Sequence, residues 1–170
     1  MAVKYKMLLI PVIINTTLFF LLSILHFYWA VGGRVWYDDV LPTNSSGLNK
    51  MNPGTAGFVI AFGLLFFALL TLGNLGLFDK HFKRKYFRFS ALIITIIFFL
   101  RAMGDFKLFG FFKTISRTKF GVNDTQFFTP SCVFIAFLSL IIFVLQRRIN
   151  IKSNSTGIKY QKKLVTLKVV

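Results

Sequence analysis

The sequence predicts an all-α fold: an integral membrane four-helix bundle with both termini cytoplasmic. Three observations predict it. Four apolar runs each reach the length of a bilayer span, about 20 residues. Hydrophobic residues make up 55% of the 170, including 23 phenylalanines, a usage expected of chains that dissolve in lipid. The basic residues, which bring the net charge to +16, sit at the ends of the apolar runs and not on a soluble face.

The first span runs from about Met7 to Val31, with Pro11 in its opening turns, where proline is tolerated. The second runs from about Gly57 to Phe78 and carries Gly63, Gly73 and Gly76. The glycines and alanines Gly57, Ala61, Gly63 and Ala68 would permit close helix packing. The third runs from about Tyr86 to Met103 and is nearly pure Ile, Leu and Phe between Ala91 and Leu100. The fourth runs from Pro130 to Gln146, with Thr129 as N-cap and proline at the first helical position. Residues 1–148 thus form the membrane domain and 149–170 a basic cytoplasmic tail. That tail has no long apolar stretch and is expected to be disordered or to lie flat on anionic lipid.

Orientation follows from lysine and arginine in the flanks. The N-terminus (Lys4, Lys6), the second connection (Lys80 to Arg88) and the tail together hold 14 of them. The opposite side holds seven: Arg34, Lys50, Arg101, Lys107, Lys113, Arg117 and Lys119. A cleaved signal peptide does not fit the first segment, which is too long and ends in bulky aromatics. Asn44-Ser45-Ser46 and Asn123-Asp124-Thr125 match the glycosylation pattern, which is common by chance.

Several function classes are excluded. Nucleic-acid binding is not expected from basic residues spread along membrane flanks. Cys132 is the only cysteine, so no intrachain disulfide and no paired-thiol relay is possible. That removes the four-helix quinone-linked disulfide oxidases. The chain has no glycine-rich phosphate loop, nucleophile elbow or histidine–glutamate zinc motif. No cofactor or metal is expected: His81 lies a membrane thickness from His26, too far for haem ligation, and the aspartates lack ligand spacing.

The candidate chemistry gathers in the two outer connections. The first begins within the span as Leu25-His26-Phe27-Tyr28-Trp29-Ala30-Val31-Gly32-Gly33-Arg34 and continues through Trp36, Tyr37, Asp38 and Asp39. Its aromatic rings suit the headgroup boundary. His26 lies about a turn deeper, within about 20° of Asn15 on the helix surface, with Ser23 some 60° farther round. This polar stripe should face the bundle interior, either for interhelical hydrogen bonds or for a ligand.

The second outer connection holds Arg101, Asp105, Lys107, Lys113, Arg117, Lys119 and Asp124. Charge at the edge of a span is costly and usually has a reason. Arg101 and Asp105 have the i, i+4 spacing that lets them pair on one helix face. Gly104 and Gly110 frame four phenylalanines, which reads as an interfacial or re-entrant aromatic helix. Snorkelling with a local ion pair is the plainer account of Arg101. Convergence of His26, Arg101, Asp105 and Asp124 near the outer leaflet would instead make a site, with Tyr28, Trp29, Arg34 and Lys113 around it.

Three ordered signatures resemble a known family. Leu25 to Gly33 with Leu41-Pro42, Leu100 to Phe106 with Gly110, Phe111 and Lys113, and Thr118-Lys119-Phe120 with Asp124-Thr125, Pro130 and Cys132 resemble the bacterial membrane proteins of domain of unknown function 3995. The chain departs from that pattern at Ser131 and at Val122-Asn123. The resemblance implies a four-span fold in the bacterial inner membrane and brings no activity.

The residues therefore predict a pocket for a hydrophobic or amphiphilic ligand at the outer leaflet. An anionic head would suit Arg101. A membrane enzyme acting on a lipid or isoprenoid is the rival, with His26 as acid/base, Arg101 as anion clamp and Asp105 as orienter. A structural subunit of a membrane complex is the third reading. The partners expected are the lipid bilayer and either a second copy or another membrane protein.

Overall fold

The computed structural model describes residues 2–40, 53–79, 81–105, 107–114 and 118–168. Its elements are α1 (Ala2–Ala30), α2 (Tyr37–Val40), α3 (Pro53–Gly73), α4 (Arg84–Met103), α5 (Lys119–Asn123) and α6 (Thr129–Lys168), with one π-helical turn at Asp124–Phe128. Among the described residues there is no strand. Leu41-Pro42, Asn44-Ser45-Ser46, Lys50, Lys80, Phe106 and Arg117 lie outside them.

Four helical stretches are long and apolar enough to cross a membrane: Lys6–Ala30, Gly54–Gly73, Arg84–Met103 and Lys119–Arg148. The faces they turn outward are apolar. Ile10, Val59, Ile93 and Phe137 are 54–73% exposed, as lipid-facing side chains should be.

The helices pair as α1 with α3 and α4 with α6, and α1 also packs along α6. Phe19, fully buried, packs with Leu64 and Ala68 of α3, Ile94 of α4 and Ile135 of α6, so all four long helices meet around one ring. Phe67 and Phe98 tilt against it at 5.8 and 5.4 Å. A second cluster joins Leu8 and Val12 to Ala91 and Ile142. Helix association in lipid lacks the usual hydrophobic drive, so it rests on van der Waals packing and a few buried hydrogen bonds. Asn15 donates to Ser139 Oγ at 2.8 Å, and Ser23 donates to the Ala61 carbonyl at 2.8 Å. The stripe on α1 thus joins helices, each bond contributing about 0.6 kcal/mol. Farther along, the Gln146 amide donates to the Asn74 carbonyl.

Several boundaries differ from the expected ones. Because α1 starts at Ala2, Pro11 lies inside the helix and cannot donate to the Met7 carbonyl. The second span ends as helix at Gly73, and Phe78 belongs to the turns beyond it. Thr129 is no N-cap: its backbone is helical (φ −64°, ψ −48°) and its N–H reaches back to the Asp124 carbonyl. The cap is Thr118, whose hydroxyl accepts the Gly121 N–H at 3.0 Å, twelve residues before the predicted start of the span at Pro130. Pro130 explains the π turn. A proline at this place lacks an N–H and crowds the carbonyl four residues back, and a locally widened helix absorbs both. Helix also continues to Lys168, so the tail is not irregular chain.

Close packing in the second span is selective. A Cβ on Gly57 would stand 3.0 Å from Ala30 Cβ, whereas one on Gly63 would meet nothing within 4 Å. Gly63 therefore takes no part in the packing expected of it. Gly57→Val is expected to destabilise the bundle by about 1–3 kcal/mol through overpacking, and Gly63→Ala to change it by less than about 0.5 kcal/mol. Reversible unfolding in mixed micelles measures both, and equal effects would contradict the α1–α3 contact.

Candidate functional site

The charged cluster is built where α4 ends. Gly104 stops the helix: its φ of +90° belongs to glycine, and its N–H still reaches the Leu100 carbonyl at 3.0 Å. Gly110 has the same φ, and a Cβ on it would stand 2.4 Å from Gly104 Cα. The two glycines abut, and the chain between them closes on itself. Phe111 N–H then bonds the Ala102 carbonyl at 2.9 Å, tying the closed loop to the helix end.

Asp105 holds this loop in shape. Its Oδ1 accepts the backbone N–H groups of Leu108, Lys107 and Phe109 at 2.7, 3.0 and 3.1 Å. The described residues from Gly104 to Thr114 form bends and turns, so the aromatic helix expected there is absent. The expected Arg101–Asp105 pair is absent as well. The positive φ at Gly104 carries Asp105 off the helix face before the i, i+4 geometry can be used.

Arg101 pairs with Asp124 instead. Its Nη2 lies 2.9 Å from Asp124 Oδ1, 23 residues away in sequence. Oδ2 accepts three further bonds, from Lys113 Nζ and Gly110 N–H at 2.8 Å each and from the Thr129 hydroxyl at 3.1 Å. Asp124 is fully buried and the Lys113 side chain only 4% exposed. Four donors thus meet this carboxylate, one at Oδ1 and three crowded on Oδ2. The Phe109 ring lies against the Arg101 guanidinium, 4.4 Å from its carbon. Two cations share one anion, which leaves a local excess of one positive charge. Arg101 Nη1 is buried and has no hydrogen-bond partner.

The other candidates form a separate, aromatic group. His26 Nδ1 lies 2.8 Å from the Leu22 carbonyl of its own helix. Only an N–H can meet a carbonyl there, so Nδ1 carries a proton and Nε2 is the basic nitrogen of the neutral ring. Trp29 stands edge-on to His26 at 5.1 Å and to Tyr37 at 6.3 Å, and its indole N–H donates to the Val35 carbonyl at 2.8 Å. Tyr28 and Arg34 are exposed. The short helices α2 and α5 touch, so the aromatic and ionic groups are neighbours, but no hydrogen bond among the described residues joins His26 to Arg101 or Asp105.

The roles of Gly110 and Thr129 as donors to Asp124, and of Phe109 as the ring against Arg101, were not foreseen in the sequence. One signal was available: Asp124 and Thr129 are five apart, the spacing a π turn brings onto one face.

Fold and cluster together define a polytopic membrane protein in which the third and fourth long helices and the loop between them are tied, at one end, by a buried carboxylate. The chain belongs to the family described as protein of unknown function (DUF3995), which matches residues 19–139, from within the first span to the middle of the fourth. No curated protein and no solved structure matches the chain.

Removing the hub charge should be costly. Asp124→Ala leaves two buried or half-buried cations without a partner and is expected to lower stability by about 3–5 kcal/mol, with Lys113→Met costing clearly less because Arg101 keeps its partner. Thermal unfolding in detergent ranks the two, and the reverse order would contradict the hub. Asp105 answers to pH. Partial desolvation raises its carboxyl, but the N–H bonds from Leu108, Phe109 and Lys107 together outweigh it and hold the group below its ordinary value. Its contribution is complete above the ordinary carboxylate range and is lost as pH falls through the lowered value. Hydrogen exchange at those three amides, corrected for intrinsic rate, should show protection surviving mild acid; loss at mild acidity would contradict this.

Proposed function

We propose that this protein binds an amphiphile with an anionic head at the end of the bundle that carries Arg101. The observation that carries the reading is the buried, unpartnered Arg101 Nη1 in a cluster with one positive charge in excess. A guanidinium presents paired N–H donors to a carboxylate or phosphate. Here Asp124 takes one side of that fork and leaves the other for a ligand. The apolar tail would lie along the exposed faces of Phe111, Phe127 and the spans.

The charge bias of the flanks supports cytoplasmic termini and, with them, an outer-leaflet position for this end. Together with the family resemblance it supports the inner membrane of a bacterium as the location. A structural role within a membrane complex is the second reading, favoured by the four donors that Asp124 already meets within the chain.

Mass spectrometry of species co-purifying with the protein tests the first reading. Wild type should retain a defined anionic amphiphile. Arg101→Lys, which keeps a charge beside Asp124 but loses the fork, should retain at least about tenfold less, the loss expected for a hydrogen bond to a charged group. No enriched species in wild type would sink the ligand reading and favour the structural one.

A further inference from the structure

The opposite end of the bundle carries a different charge pattern. Leu8, Ala91 and Ile142 pack in one cluster, so Lys6, Arg88 and Arg147, lying a turn or so beyond them, share one level. The Gln146–Asn74 bond brings the end of α3 to the same place. Lys83, Lys85, Arg147 and Arg148 are exposed there, as is Lys6. The single acid of this end, Asp79, is taken by Arg84, whose Nε lies 3.0 Å away. Around Arg101 two cations share one buried carboxylate; here the cations far outnumber the anions.

Arg88 is the inward member of this group. Its Nε is buried without a hydrogen-bond partner, and its guanidinium carbon lies 5.4 Å from the Phe89 ring centroid. Buried donors are normally paired, and an orphan of this kind asks for an acceptor. The surrounding surface is apolar and aromatic: Phe82, Tyr86 and Phe89 are 50–58% exposed. Exposed rings between cations are the surroundings of a headgroup with acyl chains below it, and not of a soluble polyanion.

We propose that this end binds an anionic phospholipid, with Arg88 donating to a headgroup phosphate oxygen and the exposed lysines and arginines answering the lipid's net charge. The site is independent of the one at Arg101 and of the direction in which the chain crosses the membrane.

The test uses the full chain, delipidated in detergent and titrated in native mass spectrometry with dioleoylphosphatidylglycerol or dioleoylphosphatidylcholine. Both lipids carry a phosphate, and only the first has net charge. The glycerol lipid should be retained about fivefold better, the factor that about 1 kcal/mol per surface charge implies. Arg88→Gln should remove most of that preference and Arg34→Gln, at the other end, none of it. If Arg88→Gln does not fold, Arg88→Lys, which keeps the charge and loses Nε, should still weaken retention of the glycerol lipid. Equal retention of both lipids by wild type overturns the proposal. So does a preference untouched by either change at Arg88, which would mean diffuse surface charge alone. Displacement of the lipid by millimolar glycerol 3-phosphate would make this a soluble-phosphate site and overturn the lipid assignment.

Discussion

The carboxylate of Asp124 is the constraint on which one whole end of the molecule depends. A buried charge is tolerated only when it is paired and its lone pairs are filled. Meeting that demand recruits α4 through Arg101, the closed loop through Gly110 and Lys113, and α6 through Thr129. Three segments are thereby held in one geometry. The aromatic group of α1 and α2 lies beside this hub through the α2–α5 contact. Complete burial between two cations argues against Asp124 as a working acid or base, because it leaves a substrate no open approach to the carboxylate. Any ligand must be met by what the hub leaves over, and that is the far side of Arg101.

The spans were legible because hydrocarbon thickness leaves little choice. About 20 apolar residues without charge have few other destinations. The lateral arrangement was legible only in part. The stripe of Asn15 and Ser23 was expected to face inward and does, bonding Ser139 and Ala61. His26, on the same stripe, bonds its own helix, because the Leu22 carbonyl is the nearest acceptor for a ring near the helix end.

The site was legible as a set of residues and illegible as a set of pairs. Local spacing favoured Asp105 as the partner of Arg101, and a helix continuing past Met103 would have delivered it. Gly104 ends the helix one residue too early, and Asp105 spends its lone pairs on the loop. Asp124 wins through a contact across 23 residues, which no local rule reports. Thr129-Pro130 misled in a related way. It has the composition of a helix start, but the true start lies at Thr118, and the proline sits behind a widened turn.

That widened turn has an effect well beyond its own five residues. An i, i+5 turn takes in one more residue than the α-helix needs for the same rise, so it sets the angular phase of everything after it. At 100° per residue, a fourth helix one residue shorter would present a different face to the bundle. Ser139 would turn from Asn15 and Gln146 from Asn74. The turn at Asp124–Phe128 therefore acts as an indexing tooth. It lets one continuous helix serve the charged cluster above it and the polar seam below, two sets of contacts that a uniform helix of this sequence would hold out of step.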